Sequence, residues 1–310
     1  MVGGVVDQLD SFHPVDGGEL ALVAIAGFAA ALVDGALGMG FGPTSSSILL
    51  SAGISPTAVS TTVNLAKVAT GVAAGISHWR FRNIDHKLVL QLAIPGAIGA
   101  LIGVTVLTNV DGKTIEPILA ALLILVGLRI LWRFRSEPVG SVADADDLEH
   151  DPDKMPPFNS RGVEVAATAG GVTNGLIGAW GPVVTPFLLH RGLSPRFAIG
   201  SVNTAEVAVA VVAAGSLILS LGGESIEVGV LIAMLVGGVS ASPIAAWMVR
   251  HVKPRPVGVA VGALLLLTNA RVLAGWAELG ASRWIAYGVI VLLIAGAACA
   301  PRLAARRTDV

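Results

Sequence analysis

Residues 35–68 read GALGMGFGPTSSSILLSAGISPTAVSTTVNLAKV, and residues 174–207 read NGLIGAWGPVVTPFLLHRGLSPRFAIGSVNTAEV. Set against each other at a shift of 139 they align without a gap, and twelve of the thirty-four positions are identical. Unrelated apolar helices share Leu and Val by chance, but they seldom share punctuation. Here Gly42-Pro43 falls on Gly181-Pro182, Leu49-Leu50 on Leu188-Leu189, Gly53 on Gly192, Ser55-Pro56 on Ser194-Pro195 and Asn64 on Asn203. The chain reads as an internal duplication. A weaker match at a shift of 142 sets Arg129 on Arg271.

The medium in which the two copies fold follows from composition. The 310 residues are 54% hydrophobic and only 13% charged, with a mean hydropathy of +0.78, outside the soluble globular range. Runs of twenty or more apolar residues, rather than ten-residue alternation, point to spanning helices and exclude a transmembrane barrel. The expected fold class is an all-α polytopic membrane protein. Twenty basic against 21 acidic residues, a net charge of -1, leave no basic surplus for a nucleic-acid backbone. The single Cys299 allows no internal disulfide. The first apolar run follows Asp7, Asp10, Asp16 and Glu19 rather than a basic stretch, so no cleaved signal peptide is expected.

Hydropathy marks apolar segments at 19–37, 43–52, 55–78, 86–108, 114–134, 161–178, 182–190, 195–221, 225–249, 256–275 and 283–300. At 1.5 Å per residue the 43–52 and 182–190 pieces reach only about 15 Å, half a hydrocarbon core, so each is a half-helix behind a Gly-rich break. Five divisions follow: an extracytoplasmic segment 1–18, a first membrane repeat 19–135, an acidic cytoplasmic linker 136–160, a second repeat 161–276, and an extra span with a basic tail at 277–310. Arg80, Arg82 and Lys87, then Arg133 and Arg135, then Arg250, Lys253 and Arg255, and finally Arg302, Arg306 and Arg307 mark cytoplasmic connectors. Glu224 and Glu227 mark an external one. With two spans between the linker and the 250–255 loop, 161–190 must return to the side it left, as a helix-break-helix hairpin. By the repeat, 19–52 is a hairpin too. Each half then holds one hairpin and three spans, and the odd number of crossings inverts the second half relative to the first. The N-terminus is expected outside and the C-terminus in the cytoplasm.

Inverted repeats with broken helices are the architecture of secondary transporters, which bind substrate near the midplane where the breaks meet. Gly38, Gly40 and Gly42 let the backbone leave the helix, and Pro43 starts the next one where its missing N–H is harmless. The half-helix N-terminus, with Thr44, Ser45 and Ser46 beside it, reads as an anion cradle. Trp180, Gly181, Pro182 and Thr185 repeat the design with fewer hydroxyls and an indole donor. Glycines here also have a purely packing reading, as Gly99 and Gly103 do.

Lys67 and Glu206 are aligned partners in the middle of long spans, one turn after Asn64 and Asn203. A charge at mid-bilayer costs on the order of 2.5–3.5 kcal/mol on insertion scales and is usually paired or functional. Two readings stand side by side: a structural Lys67–Glu206 ion pair, or Lys67 as substrate counter-charge and Glu206 as a protonatable coupling group. Asn64 and Asn203 either meet an oxyanion or brace the neighbouring break. Asp34 binds a proton or cation, or else bonds a backbone group freed by the break. Glu164 has a structural place early in its helix, and Arg129 and Arg271 either snorkel to the two interfaces or act in gating. His78, His86 and His190 lack metal-ligand spacing, and no hydrolase or nucleotide-binding motif occurs, so neither an enzyme nor a cofactor is expected.

The duplicated break followed by Gly-Ile-Ser-Pro-Thr-Ala (53–58) and Gly-Leu-Ser-Pro-Arg-Phe-Ala (192–198), with the basic loop His78-Trp79-Arg80-Phe81-Arg82-Asn83-Ile84-Asp85, resembles the sulfite exporter TauE/SafE family of membrane permeases. The resemblance covers residues 20–300. It implies export or uptake of small sulfur-containing anions, such as sulfite or short organosulfonates, coupled to the proton gradient across the cell membrane. Met39 and Phe41 interrupt the glycine run of the first motif, and Ser47 stands where the second copy has Pro186, which points to a different pocket and a different anion. The expected partners are a small anionic substrate, protons and membrane lipid. Alternatives are an anion channel on the same scaffold, a transporter of a carboxylate or other non-sulfur anion, and a membrane assembly protein.

Overall fold

The computed structural model describes residues 17–37, 39–135, 158–222, 228–251 and 254–308. Most of the N-terminal segment, most of the acidic linker, the loop with Glu224 and Glu227, Gly38 and Lys253 lie outside the described residues. Among the described residues the protein is helical and contains no strand. The helices are α1 (Gly17–Leu37), α2 (Phe41–Ser51), α3 (Pro56–Arg80), α4 (His86–Asn109), α5 (Gly112–Arg135), α6 (Val163–Ile177), α7 (Gly181–His190), α8 (Pro195–Leu221), α9 (Val228–His251), α10 (Pro254–Trp276) and α11 (Arg283–Thr308).

The half-helices form where expected. α2 has 11 residues and α7 has 10, about 15–17 Å each. Their arms differ: α1 has 21 residues and α6 only 15, about 31 Å against 22 Å. Both half-helices end the same way, because the duplicated Gly53 and Gly192 sit at φ 86° and 88°, a left-handed conformation that favours glycine. Gly53 and Ile54 donate back to the carbonyls of Leu50 and Leu49, and Gly192 and Leu193 donate to those of Leu189 and Leu188. The shared Gly-x-Ser-Pro that follows thus stops one helix and starts the next, with Pro195 in the first turn of α8.

Among the described residues four helices are long and apolar enough to cross a membrane, within α4, α5, α8 and α10. Shorter apolar stretches occupy Leu20–Asp34, Val228–Ala241 and Arg283–Ala297. The 25-residue α3 has the length of a span but buries a polar set, Ser60, Thr61, Thr62, Asn64 and Lys67, against protein. These groups would be costly facing hydrocarbon, and protein covers them instead.

The helices pair reciprocally between the halves. α1 packs along α9 and α4 along α6, while α3 lies against α8 and α5 against α10. Small residues permit the two closest crossings. A Cβ on Gly99 or Gly171 would overlap the carbonyl of Thr168 or Gly96 at the α4–α6 crossing. One on Gly27 or Gly237 would do the same with Met234 or Ala24 at the α1–α9 crossing. One cluster of buried apolar side chains runs through both halves and includes the fully buried Trp180.

Candidate functional site

The two Gly-Pro breaks meet. A Cβ on Gly42 would run into the carbonyl of Gly178, one on Gly181 would come within 3.1 Å of the Met39 Cβ, and Ser46 donates to the Ile177 carbonyl at 2.7 Å. Each break is tied across itself by the residue at the same repeat position. In the first, the Asp34 carboxylate accepts from the Phe41 N–H at 3.3 Å. In the second, the Thr173 hydroxyl donates to the Ala179 carbonyl at 2.8 Å.

Between the breaks lies a cleft of about 60 Å³, room for on the order of four water molecules. Its lining includes Asp34, Gly40, Gly42, Pro43, Lys67, Gly181, Pro182, Asn203 and Glu206. Gly42 and Gly181 occupy equivalent positions in the first turns of α2 and α7, and neither N–H has a hydrogen-bond partner among the described residues. Two half-helix N-termini therefore offer backbone donors to one small space.

Lys67 is 6% exposed, and three groups surround its ammonium. It forms an ion pair with Glu206, donates to the Asn174 Oδ1 at 2.9 Å and to the Gly178 carbonyl at 2.6 Å. These partners match the three N–H donors of an ammonium. Asn174 in turn donates to the Asn64 Oδ1 at 2.7 Å, and the Asn64 amide returns bonds to the Ser60 and Asn174 carbonyls. Asn64 thus braces the second break and does not line the cleft, whereas its repeat partner Asn203 does line it. Among the described residues the Asn203 amide makes no hydrogen bond.

Other residues of the expected cradle point elsewhere. Ser45 donates to the Phe41 and Gly42 carbonyls and Ser46 to Ile177, so both hydroxyls serve backbone acceptors. The Trp180 indole donates to the Val202 carbonyl at 3.1 Å, which makes it a strut between α7 and α8 rather than a cleft donor. Thr44 and Thr185 are buried outside the cleft lining, and their hydroxyls have no partner among the described residues. Glu164, Arg129 and Arg271 are exposed.

Several site residues escape a reading of the sequence. Asn174 holds Lys67 but aligns with Gly35, so the repeat hides it. Met39, Phe41, Thr70, Gly71, Ala74 and Gly178 complete the cleft wall. Thr70 lies one turn beyond Lys67, and a polar residue at that spacing was a usable signal. Asn269 reaches Ser47 at 2.7 Å across 222 residues of sequence, a contact that no local pattern announces.

The model of the sulfite exporter TauE/SafE family matches residues 23–272, from within α1 to within α10. The chain belongs to the TauE/SafE family. It is also 39% identical over 279 residues to a Bacillus subtilis (strain 168) protein named "Probable membrane transporter protein YtnM", an alignment covering 89% of this chain and 87% of that one. No solved structure matches the chain. Membership covers both breaks, Lys67 and Glu206, and makes the protein a multi-pass membrane transporter of the TauE/SafE type.

Proposed function

We propose that this TauE/SafE member is a proton-coupled secondary transporter of a small sulfur-containing anion, such as sulfite or a short organosulfonate, and is not an enzyme. The anion binds in the cleft between the N–H groups of Gly42 and Gly181, beside Lys67 and Asn203. The observation that carries the reading is the saturated Lys67: an anion gains one of its donors only when a present partner lets go.

Glu206 is the partner that can let go by chemistry alone. A proton on its carboxylate removes the charge that holds Lys67, and the freed ammonium turns to the anion. Charge counting agrees. Asp34, Glu206 and Lys67 are the ionisable groups of the lining, and with both acids ionised they sum to -1, which repels an anion. One proton brings the sum to zero and two bring it to +1, matched to a monoanion. Anion and proton therefore enter together, and neither is favoured alone.

The reciprocal α1–α9 and α4–α6 pairings support an inverted duplication bounded as 19–135 and 161–276. In that arrangement the two hairpins exchange roles as the cleft opens to one side and then to the other. The basic connectors support a cytoplasmic C-terminus in the cell membrane.

The test is reconstitution in liposomes with sulfite, sulfoacetate, taurine, sulfate and acetate, each with and without a pH gradient. Concentrative uptake confined to one or two sulfur oxyanions and driven by the pH gradient is the expected outcome. Transport that never exceeds equilibrium would identify a channel, and transport of acetate alone would move the substrate to carboxylates.

A further inference from the structure

The half-helix α2 has two ends. Its first turn lines the cleft, and its last turn, with Ser51 and Gly53, forms one wall of a separate groove of about 450 Å³. The other walls bring Lys113 and Glu116 from the start of α5 and Arg271 and Trp276 from the end of α10. Lys113, Arg271 and Trp276 are exposed and Glu116 is half-buried. Among the described residues neither Lys113 nor Arg271 makes an ion pair or a side-chain hydrogen bond. Two cations from different helices thus share a groove whose lining holds one carboxylate, Glu116, while the Asp111 carboxylate outside the lining caps the Lys113 backbone N–H.

The surroundings identify what balances the two cations. Trp276, 63% exposed, is the kind of side chain that settles at the level of lipid headgroups. Beyond the groove, one turn before Arg271 on the same face of α10, Leu267 is exposed. A water-soluble anion has no use for that apolar margin, whereas a phospholipid matches both parts: a phosphate between the cations and acyl chains along α10. Glu116 adds a further requirement, since a carboxylate beside the phosphate accepts from a headgroup that carries a hydroxyl. The groove has a formal charge of +1 from Lys113, Arg271 and Glu116, which one phosphodiester balances.

We propose that this groove binds the headgroup of an anionic phospholipid of the phosphatidylglycerol type. The phosphate lies between Lys113 and Arg271, and the glycerol hydroxyl donates to Glu116. Because α2 runs from groove to cleft, a lipid held there bears on the half-helix whose other end lines the transport site.

The experiment is native mass spectrometry of the delipidated full-length protein with phosphatidylglycerol, and with phosphatidylcholine at the same concentration. Wild type is expected to retain about one more phosphatidylglycerol than the double variant Lys113→Gln/Arg271→Gln, with no such difference for phosphatidylcholine. Both positions are exposed, and the charge-conserving Lys113→Arg/Arg271→Lys pair should restore the lost lipid, which separates headgroup binding from misfolding. Equal retention by wild type and the Gln double variant overturns the proposal. So does release of the bound lipid by millimolar inorganic phosphate, which would make the groove a site for soluble anions.

Discussion

The two hairpins share a Gly-Pro break and close it with different chemistry. In the first, a carboxylate reaches back to the opening N–H of its own half-helix, Asp34 to Phe41. In the second, a neutral hydroxyl, Thr173 to Ala179, does the local work, and α3 adds two outside anchors. Asn64 clasps Asn174, and Lys67 holds both Asn174 and the Gly178 carbonyl. One break is tied by a carboxyl group of its own, and the other is pinned from outside by the Lys67 ammonium. The backbone of the two breaks is alike, and the side chains that tie them differ: a carboxyl group within the first, and an amide and an ammonium from α3 on the second.

The clamp is where that comparison breaks most visibly. Lys67→Ala leaves Glu206 without its counter-ion and the Gly178 carbonyl and Asn174 Oδ1 without a donor. Losing one partner of a buried pair costs about 3–5 kcal/mol. Anion flux in proteoliposomes is expected to fall to background. The double variant Lys67→Ala/Glu206→Ala should recover thermal stability but no flux. Wild-type flux from either variant removes Lys67 from the transport site.

The crossing of the breaks makes a sharper distinction. Gly42→Ala drives a methyl into the Gly178 carbonyl, whereas Gly181→Ala meets the Met39 Cβ at 3.1 Å, which asks the neighbouring chain to give by only a few tenths of an ångström. Overpacking costs about 1–3 kcal/mol, so Gly42→Ala should sit at the upper end and Gly181→Ala at the lower. Thermal unfolding in detergent orders the pair. If Gly181→Ala proves the more damaging, the two breaks do not meet as described.

Protonation tests the other half of the comparison. When protons on Glu206 and Asp34 admit the anion, wild-type flux falls as the pH on the loading side rises. Glu206→Gln fixes the neutral form, so its flux should lose most of that dependence. It should carry anion down a gradient yet fail to concentrate it when a pH gradient is applied. Asp34→Asn keeps an acceptor for the Phe41 N–H and should flatten the profile by a smaller step. Accumulation by Glu206→Gln equal to that of wild type would move the coupling proton to another group.

Much of this was legible in the sequence because backbone punctuation has few meanings. Gly-Pro falls in the first turns of α2 and α7, and the glycine of Gly-x-Ser-Pro ends both in a left-handed conformation. The expected span at 195–221 coincides with α8, and Lys67 meets its aligned partner Glu206. Side-chain direction was not legible. Ser45 and Ser46 lie beside the first break, but in a helix a serine hydroxyl can turn to a nearby carbonyl, and these do. Asn174 was hidden because the two aligned stretches differ there. Its aligned residue is Gly35, and a reading built on matches overlooks a position where the copies differ.

The smallest expected effect separates the equivalent positions 34 and 173. Thr173→Val preserves shape and removes the hydroxyl bond to the Ala179 carbonyl, a loss of about 0.5–1.5 kcal/mol. The second break retains Gly178 in its left-handed conformation, the Asn64–Asn174 clasp and the Lys67 contact, so its geometry is over-determined. Flux should remain within about twofold of wild type and its pH profile should be unchanged, since no titrating group has been altered. The substitution Asp34→Val, at the aligned position, removes both the N–H acceptor and a charge from the cleft, and should depress flux far more. Equal effects from the two valines would mean that both residues merely tie their breaks, and that the negative charge on the first hairpin has no part in transport.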